Sequence, residues 1–222
     1  VEEHRRFARE IGSAIVPAVT DTDIVAFLDG VDVLIPAPGV APHHRVVVQA
    51  LVRNVSVRTE IDIAYEWEQH RSGGPRPILG VTGTDGKTTT TMIAAALLRG
   101  GGRTVGEVGN TDLPFMAAID QPFDAFVVEC SSFRLQFTVA FRCDASVWLN
   151  LAPDHLDWHG SMEKYAGAKR RLWAYSQPSD VVVAPTNNEL ILETARATKS
   201  RCVTFGLDAG DYKVSSESLI SP

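Results

Sequence analysis

Short apolar runs alternate with segments of helical periodicity along nearly the whole chain of 222 residues. Runs of four or five apolar residues suit buried strands, and apolar positions three and four apart indicate helices packed on a sheet. This alternation is typical of a parallel α/β architecture. It predicts strands at residues 32–35, 55–57, 78–81, 104–108, 125–128, 145–149, 181–184 and 202–205. It predicts helices at residues 21–29, 43–53, 60–70, 88–99, 163–175 and 188–198.

One segment interrupts this alternation. Residues 72–77 read Ser-Gly-Gly-Pro-Arg-Pro, a composition typical of a linker. We therefore expect two α/β domains, over residues 1–71 and 78–222.

Composition and charge narrow the function classes. The net charge is −6 and no basic stripe with interleaved aromatic residues occurs, so a nucleic-acid partner is not expected. No apolar stretch approaches the roughly 20 residues that span a membrane, and the first residues lack the apolar core of a signal peptide. We expect a cytoplasmic protein. The three cysteines lie far apart without the spacing of a zinc site or a disulfide framework.

The most informative segment is a glycine-rich loop between a predicted strand and a predicted helix. Residues 80–89 read Gly-Val-Thr-Gly-Thr-Asp-Gly-Lys-Thr-Thr. Glycine lets backbone N–H groups approach phosphate oxygens, and the start of a helix favours anions. Lys87 can reach the β- and γ-phosphates, and the Thr88 hydroxyl can bind Mg²⁺. The segment therefore predicts an ATP site.

The loop is a variant of the usual phosphate-binding pattern. Val81 stands where G-x-x-x-x-G-K-S/T requires glycine, so the loop depends on Gly80, Gly83 and Gly86. The competing interpretation is a plain glycine-rich turn beside a solvated lysine. Residues 88–91 are four threonines, which are poor helix formers at a helix start, and this favours the nucleotide interpretation.

Polar residues follow two further predicted strands. Glu129 comes directly after the apolar run 125–128, at the carboxyl end of a strand, where ligands bind in open α/β sheets. It is either a Mg²⁺ ligand or a solvated carboxylate, and the phosphate loop in the same sheet favours the metal. Asn150 likewise follows a predicted strand.

The loop after Asn150 carries two aspartates and two histidines. Asp154, His155, Asp157 and His159 resemble a ligand cluster, but four side chains so close in sequence cannot all face one point. We select His155 as the functional member.

Lys169 is the last candidate. On a helix it would share an apolar stripe with Tyr165, Leu172 and Trp173. Burial would lower the lysine pKa, and a neutral amine can react with CO₂ to give an anionic carbamate. A lysine that extends from the edge of the stripe into solvent is the alternative, which the pattern alone favours.

Five segments together resemble a known family. Residues 83–88, 109–114, 128–133, 154–157 and 165–169 occur in the order and spacing of the Mur ligases. These are ATP-dependent amide-bond ligases of peptidoglycan precursor synthesis. The resemblance covers nearly all of the chain.

The resemblance implies a domain plan. Residues 1–71 would be the end of a Rossmann-like, UDP-substrate-binding domain, residues 72–77 a linker, and residues 78–222 an incomplete P-loop-type ATPase domain with a mainly parallel sheet. We expect a fragment of a monomeric enzyme that is inactive alone, because the family's uridine-binding and adenine-contacting segments and its third domain are missing.

The resemblance also assigns roles. Lys87, His155 and Lys169 would be catalytic, and Thr88, Glu129, His155 and carbamylated Lys169 would bind Mg²⁺ at two sites. Asn110 and Ser131 would contact the UDP-linked substrate. ATP would contact Gly83, Thr84, Asp85, Gly86, Lys87, Thr88 and Thr89.

Within the family, residues 109–114 and Ser131–Phe133 most resemble the members that join UDP-N-acetylmuramoyl-L-alanine to D-glutamate. The alternatives are the members that add a diamino acid or lysine to the next intermediate and, more distantly, folylpolyglutamate synthetases. A non-catalytic nucleotide-binding module is the alternative from another class.

Overall fold

The computed structural model describes residues 6, 8, 10, 12, 13, 20–214 and 219–221. Two compact units divide the chain. The smaller unit comprises Val1–Pro36 and Val40–Val57, and the larger comprises Ala37–Gly39 and Arg58–Pro222. No helix in the described part of the chain is long and apolar enough to cross a membrane.

The smaller unit pairs two short parallel strands with two helices. Its elements are α1 (Asp21–Phe27), β1 (Val33–Leu34), α2 (Arg45–Val52) and β2 (Ser56–Val57). Thr20 caps the start of α1, because its hydroxyl accepts the Asp23 N–H while the Asp23 carboxylate accepts the Thr20 N–H. Ile24 and Val47 are buried on these helices.

The larger unit is a sheet of eight described strands with helical connections. Its strands are β3 (Ile78–Thr82), β4 (Val105–Gly109), β5 (Ala125–Glu129), β6 (Ala145–Trp148), β7 (Val181–Pro185), β8 (Arg201–Gly206), β9 (Tyr212–Val214) and β10 (Leu219–Ile220). Its helices are α3 (Glu60–Gln69), α4 (Lys87–Gly100), α5 (Phe115–Ala118), α6 (Ser132–Leu135), α7 (Leu156–His159), α8 (Met162–Arg170) and α9 (Glu189–Arg196).

The strand order explains where a ligand would bind. The order is β10-β9-β8-β7-β6-β3-β5-β4, and every neighbouring pair is parallel except β9 and β10. The chain leaves β3 toward β4 on one side and reaches β6 on the other, so the carboxyl end of β3 is a switch point where open α/β sheets bind ligands. The predicted mainly parallel α/β fold is confirmed.

The sheet is buried by helices and requires glycine at one close contact. Val81, Val105 and Val127 form a cluster with Ala95 of α4, and a larger cluster lies around Phe126 and Trp148. A Cβ at Gly80 would lie 2.6 Å from Cys143 Sγ and 2.9 Å from Leu172 Cδ1. Gly80 therefore serves close packing on the sheet. Cys130, Cys143 and Cys202 are free thiols in this structure.

Helix α3 belongs to the larger unit through buried carboxylates. Asp62 Oδ1 accepts the N–H groups of residues 139, 140 and 141 at 3.0, 2.8 and 2.8 Å. Glu68 pairs with Arg76, which also donates to the carbonyls of residues 119, 121 and 123. The division between units thus falls at residues 57 and 58, whereas composition predicted a linker at residues 72–77. Composition could not show these long-range hydrogen bonds.

The predicted strands and longer helices are all present, with ends shifted by at most a few residues. The predicted helix 163–175 ends earlier, because α8 ends at Arg170 and continues as a 3₁₀ turn, Arg171–Trp173. Helices α5, α6 and α7 have four residues each and were not predicted, since one turn carries too little periodicity.

Candidate active site

The phosphate loop lies at the carboxyl end of the central strand β3 and leads into α4. Gly86 has φ +79° and precedes the helix, which begins at Lys87 without a side-chain cap hydrogen bond. Thr88 and Thr89 are exposed there. An uncapped helix start with exposed hydroxyls offers N–H donors and the positive end of the helix dipole to an anion.

Lys87 folds back over its own loop. Its Nζ donates to the carbonyl oxygens of Gly83 at 3.0 Å and Thr84 at 2.7 Å. The ammonium group is therefore held beside the loop, where it can exchange these carbonyls for phosphate oxygens.

Asn150 forms hydrogen bonds with the main chain of the loop. Its Oδ1 accepts the N–H groups of Thr84 and Asp85, each at 2.9 Å, and its Nδ2 donates to the Asp85 carbonyl at 3.1 Å. The main-chain amides of two predicted nucleotide contacts are thus bonded to protein. Sequence reasoning noted only that Asn150 follows a strand, and no local signal reveals a partner 65 positions away.

Thr84 joins the loop to the segment after β6. Its Oγ1 donates to the Ala152 carbonyl at 3.2 Å, accepts the Ala152 N–H at 3.0 Å, and lies 3.2 Å from the Tyr165 hydroxyl. The loop, the segment after β6 and helix α8 are therefore linked by hydrogen bonds.

Glu129 is the last residue of β5, and its side chain is 1% exposed. Its Oε1 accepts from Asn110 Nδ2 at 3.0 Å, whereas its buried Oε2 has no hydrogen-bond partner among the described residues. A buried polar atom without a partner is costly. A cation would satisfy it, so Glu129 fits the predicted role of a Mg²⁺ ligand.

The segment after β4 explains why Gly109 precedes Asn110. Gly109 has φ +97°, and a Cβ there would lie 2.5 Å from the Glu129 carbonyl oxygen. This close approach lets the Asn110 N–H donate to that oxygen at 2.9 Å. Asn110, predicted to contact substrate, thus contacts Glu129 through both its main chain and its side chain.

Lys169 is 1% exposed, which excludes the alternative of a side chain extended into solvent. Its Nζ donates to the Gly83 carbonyl at 2.7 Å and lies 4.5 Å from the centre of the Tyr165 ring. Burial, followed by repulsion from Lys87, lowers the pKa of Lys169 to about 7. A large share of the amine is therefore neutral near neutral pH, as carbamate formation requires.

The two histidines after β6 lie in different surroundings. His155 is exposed, has φ +50° and lies 3.2 Å from the Asp154 carboxylate. His159 is buried, and its Nε2 lies 2.9 Å from Ser132 Oγ. Burial lowers the pKa of His159 to about 4. Within the described ranges, no three His, Cys, Asp or Glu side chains form a group that could hold a metal ion.

Ser131 caps α6, where its Oγ accepts the Arg134 N–H at 3.3 Å. A neighbouring groove of about 580 Å³ runs from the start of α4 along the segment after β4. Its lining includes Thr88, Met92, Glu107, Asn110, Leu113 and Arg134. The groove brings Thr88 and Asn110 together on one open surface.

Comparison with known sequences identifies one family. Residues 81–220 match the Mur ligase middle domain. Similar curated proteins are UDP-N-acetylmuramoylalanine--D-glutamate ligases. The one from Mycolicibacterium vanbaalenii is 42% identical over 63% of this chain and 29% of its own length. The one from Natranaerobius thermophilus is 32% identical over 86% of this chain and 42% of its own length. The chain thus spans about a third of the length of these relatives.

Solved structures share the fold. MurF ligase from Thermotoga maritima, in complex with ADP, has a TM-score of 0.56 at 21% identity, covering 84% of this chain and 50% of that one. A UDP-N-acetylmuramate:L-alanyl-gamma-D-glutamyl-meso-diaminopimelate ligase from Neisseria meningitides has a TM-score of 0.58 at 16% identity, covering 97% and 72%.

Proposed function

The chain belongs to the Mur ligase family, and on that premise we propose that its protein joins UDP-N-acetylmuramoyl-L-alanine to D-glutamate with ATP in peptidoglycan precursor synthesis. The names of curated relatives at 32–42% identity support this substrate pair. The observation that carries the proposal is structural. A phosphate loop and a buried carboxylate with an unpartnered oxygen, Glu129, lie at the ends of neighbouring strands.

The proposed reaction proceeds through an acyl phosphate. The substrate carboxylate attacks the γ-phosphorus and the bond to ADP breaks. The neutral amine of D-glutamate then attacks the acyl carbon, inorganic phosphate leaves and the nitrogen releases one proton. Carboxylate and triphosphate repel each other. The Lys87 ammonium and the uncapped start of α4 offset this charge and favour in-line approach.

Thr88, Glu129, His155 and Lys169 are the residues that we propose to hold Mg²⁺. The fit is strongest at Glu129, whose Oε2 has no partner among the described residues. Bound Mg²⁺ supplies charge neutralisation at the phosphates. Asn110 orients the Glu129 carboxylate through its hydrogen bond to Oε1.

Lys169 is proposed to act as a carbamate. The neutral amine attacks CO₂, a N–C bond forms and one proton is released. The lowered pKa of Lys169 supports this step. We expect Lys169→Ala to lose activity that short carboxylates or bicarbonate partly restore, whereas Lys164→Ala, an exposed lysine on the same helix, should keep it. Absence of any rescue would leave Lys169 as a packing residue.

The direct test is phosphate release by the intact natural protein with ATP and Mg²⁺. Release only with UDP-N-acetylmuramoyl-L-alanine and D-glutamate supports the proposal. Release only with the D-glutamyl product and diaminopimelate or lysine would overturn the substrate assignment. No phosphate release with either substrate pair would favour a nucleotide-binding module without catalysis. Hydroxylamine should trap the acyl phosphate as a hydroxamate.

Three further assignments follow from the proposal. Asn110 and Ser131 border the path of the UDP-linked substrate, so conservative changes there should raise the KM for that substrate more than the KM for ATP.

Because its substrates are nucleotide-linked and it consumes ATP, we place the enzyme in the cytoplasm. We propose that it acts as a monomer, which size-exclusion chromatography of the intact protein would test.

A further inference from the structure

We propose that Asn150 is a positioning residue for nucleotide binding, whose carboxamide holds the phosphate loop in the shape that presents the start of α4 to phosphate. The inference rests on the proposed function, because it concerns the same nucleotide site. Asn150 touches neither substrate nor metal in this scheme and acts through the loop alone.

The geometry is specific to a carboxamide. Oδ1 of Asn150 accepts two successive main-chain N–H groups, from Thr84 and Asp85, while Nδ2 donates to the carbonyl of Asp85. One side chain thus satisfies both the donors and the acceptor of the turn. Aspartate lacks the Nδ2 donor, and alanine lacks both the Oδ1 acceptor and the Nδ2 donor, so it loses all three hydrogen bonds.

The main chain and the neighbouring residue reinforce this arrangement. The Asn150 carbonyl accepts the Thr84 N–H at 3.2 Å and the Trp148 Nε1 at 3.0 Å. Ala152 exchanges two hydrogen bonds with the Thr84 hydroxyl. Asn150 and Ala152 therefore both form hydrogen bonds with Thr84 of the loop.

Two glycines in the loop make this support valuable. Gly83 and Gly86 flank residues 84 and 85, and glycine loses the most conformational freedom on ordering. A loop already held in its binding shape does not lose that freedom again when a ligand arrives. With the Thr84 and Asp85 N–H groups bonded to Asn150, the N–H groups at the uncapped helix start remain for phosphate.

The test compares Asn150→Ala with Asp124→Ala in the intact natural protein. Asp124 is a matched control. Its Oδ2 accepts hydrogen bonds from the N–H and hydroxyl of Thr104, at 2.7 and 2.8 Å, and it lies just before β5, at the end of that strand away from Glu129. Three quantities are measured: the Kd for ADP by calorimetry, the KM values for ATP and for the UDP-linked substrate, and Tm.

In Asn150→Ala we expect the Kd for ADP and the KM for ATP to rise by about tenfold or more, while the KM for the UDP-linked substrate changes by less than about twofold. The Asp124→Ala variant should lower Tm without changing the Kd. Unchanged ADP affinity in a folded Asn150→Ala, or equal rises in both KM values, would overturn the inference.

If Asn150→Ala does not fold, Asn150→Ser is measured in the same way, since a hydroxyl can still accept one of the two N–H groups. In Asn150→Ser the Kd for ADP should rise measurably, but by less than the rise expected for Asn150→Ala. Wild-type ADP affinity in this variant would refute the positioning role. Failure of the wild-type protein itself to bind ADP would instead refute the proposed function, and with it the inference.

Discussion

Replacement of Lys169 by methionine is expected to change how stability depends on pH. The amine is 1% exposed, and its pKa falls from 10.5 to about 7, first because of burial and second because of Lys87. The unfolded chain therefore binds more protons than the folded chain between pH 7 and 10.5. Stability rises with pH wherever the unfolded state binds more protons, so Lys169 destabilises the fold most at the lower end of this window.

The magnitude follows from the two pKa values. With about 1.4 kcal/mol for each pKa unit, Lys169 lowers the unfolding free energy by about 4 kcal/mol at pH 7 and by about 2 kcal/mol at pH 9. Methionine has similar length and no charge, and the lost hydrogen bond to Gly83 adds a nearly constant term. The difference between Lys169→Met and wild type should therefore shrink by about 2 kcal/mol from pH 7 to 9.

Urea unfolding in CO₂-free buffers, followed by tryptophan fluorescence, measures this difference. The four tryptophans of the chain all lie in the larger unit, so the signal reports on the unit that contains Lys169. Lys164→Met, on the exposed side of the same helix, should show no such dependence. A difference that stays constant from pH 7 to 9, or an amine that titrates near 10 by NMR, would refute the reasoning.

Three other substitutions test the supports of the site. Asp62→Ala should lower the unfolding free energy by about 3–5 kcal/mol in urea titrations, because three main-chain N–H groups lose a buried carboxylate; a cost below 1 kcal/mol would contradict this. Gly109→Ala should cost about 1–3 kcal/mol and raise the Mg²⁺ concentration for half-maximal activity, because its Cβ meets the Glu129 carbonyl; unchanged Mg²⁺ dependence would speak against it. Arg76→Lys should lower Tm clearly, since lysine cannot replace the bidentate pair with Glu68 and the bonds to three carbonyls; an unaltered Tm would show these contacts to be dispensable.

The fold class and the phosphate loop were accessible from sequence because both depend on local order. Apolar runs of strand length reveal buried strands, and glycine with lysine and threonine at fixed spacing reveals the cradle between β3 and α4. Glu129 was singled out for a related reason: the residue after an apolar strand emerges at the edge of a parallel sheet where ligands bind.

Other features of the site depended on residues far apart in the chain. Sequence could not decide whether Lys169 was buried or solvated, because an apolar stripe describes one helix and not the surface that it meets. Nor could it show that the Asn110 side chain donates to Glu129, while the substrate contact of Asn110 stays a prediction. The burial of Lys169 against Gly83 and the contact between Asn110 and Glu129 both depend on segments that meet at the ends of neighbouring strands.

Neighbouring residues encode the alternation of strands and helices, the glycine-rich loop after β3 and the chemical groups available around it, because backbone periodicity and short motifs are local. Three further features required the folded chain: Asn150 bonds to the loop from 65 positions away, the Gly83 carbonyl accepts from the Lys169 amine, and α3 packs with the larger unit. These contacts form when separate segments are brought together at the edge of one sheet, and burial then sets the pKa values and the unpartnered atoms on which the chemistry depends.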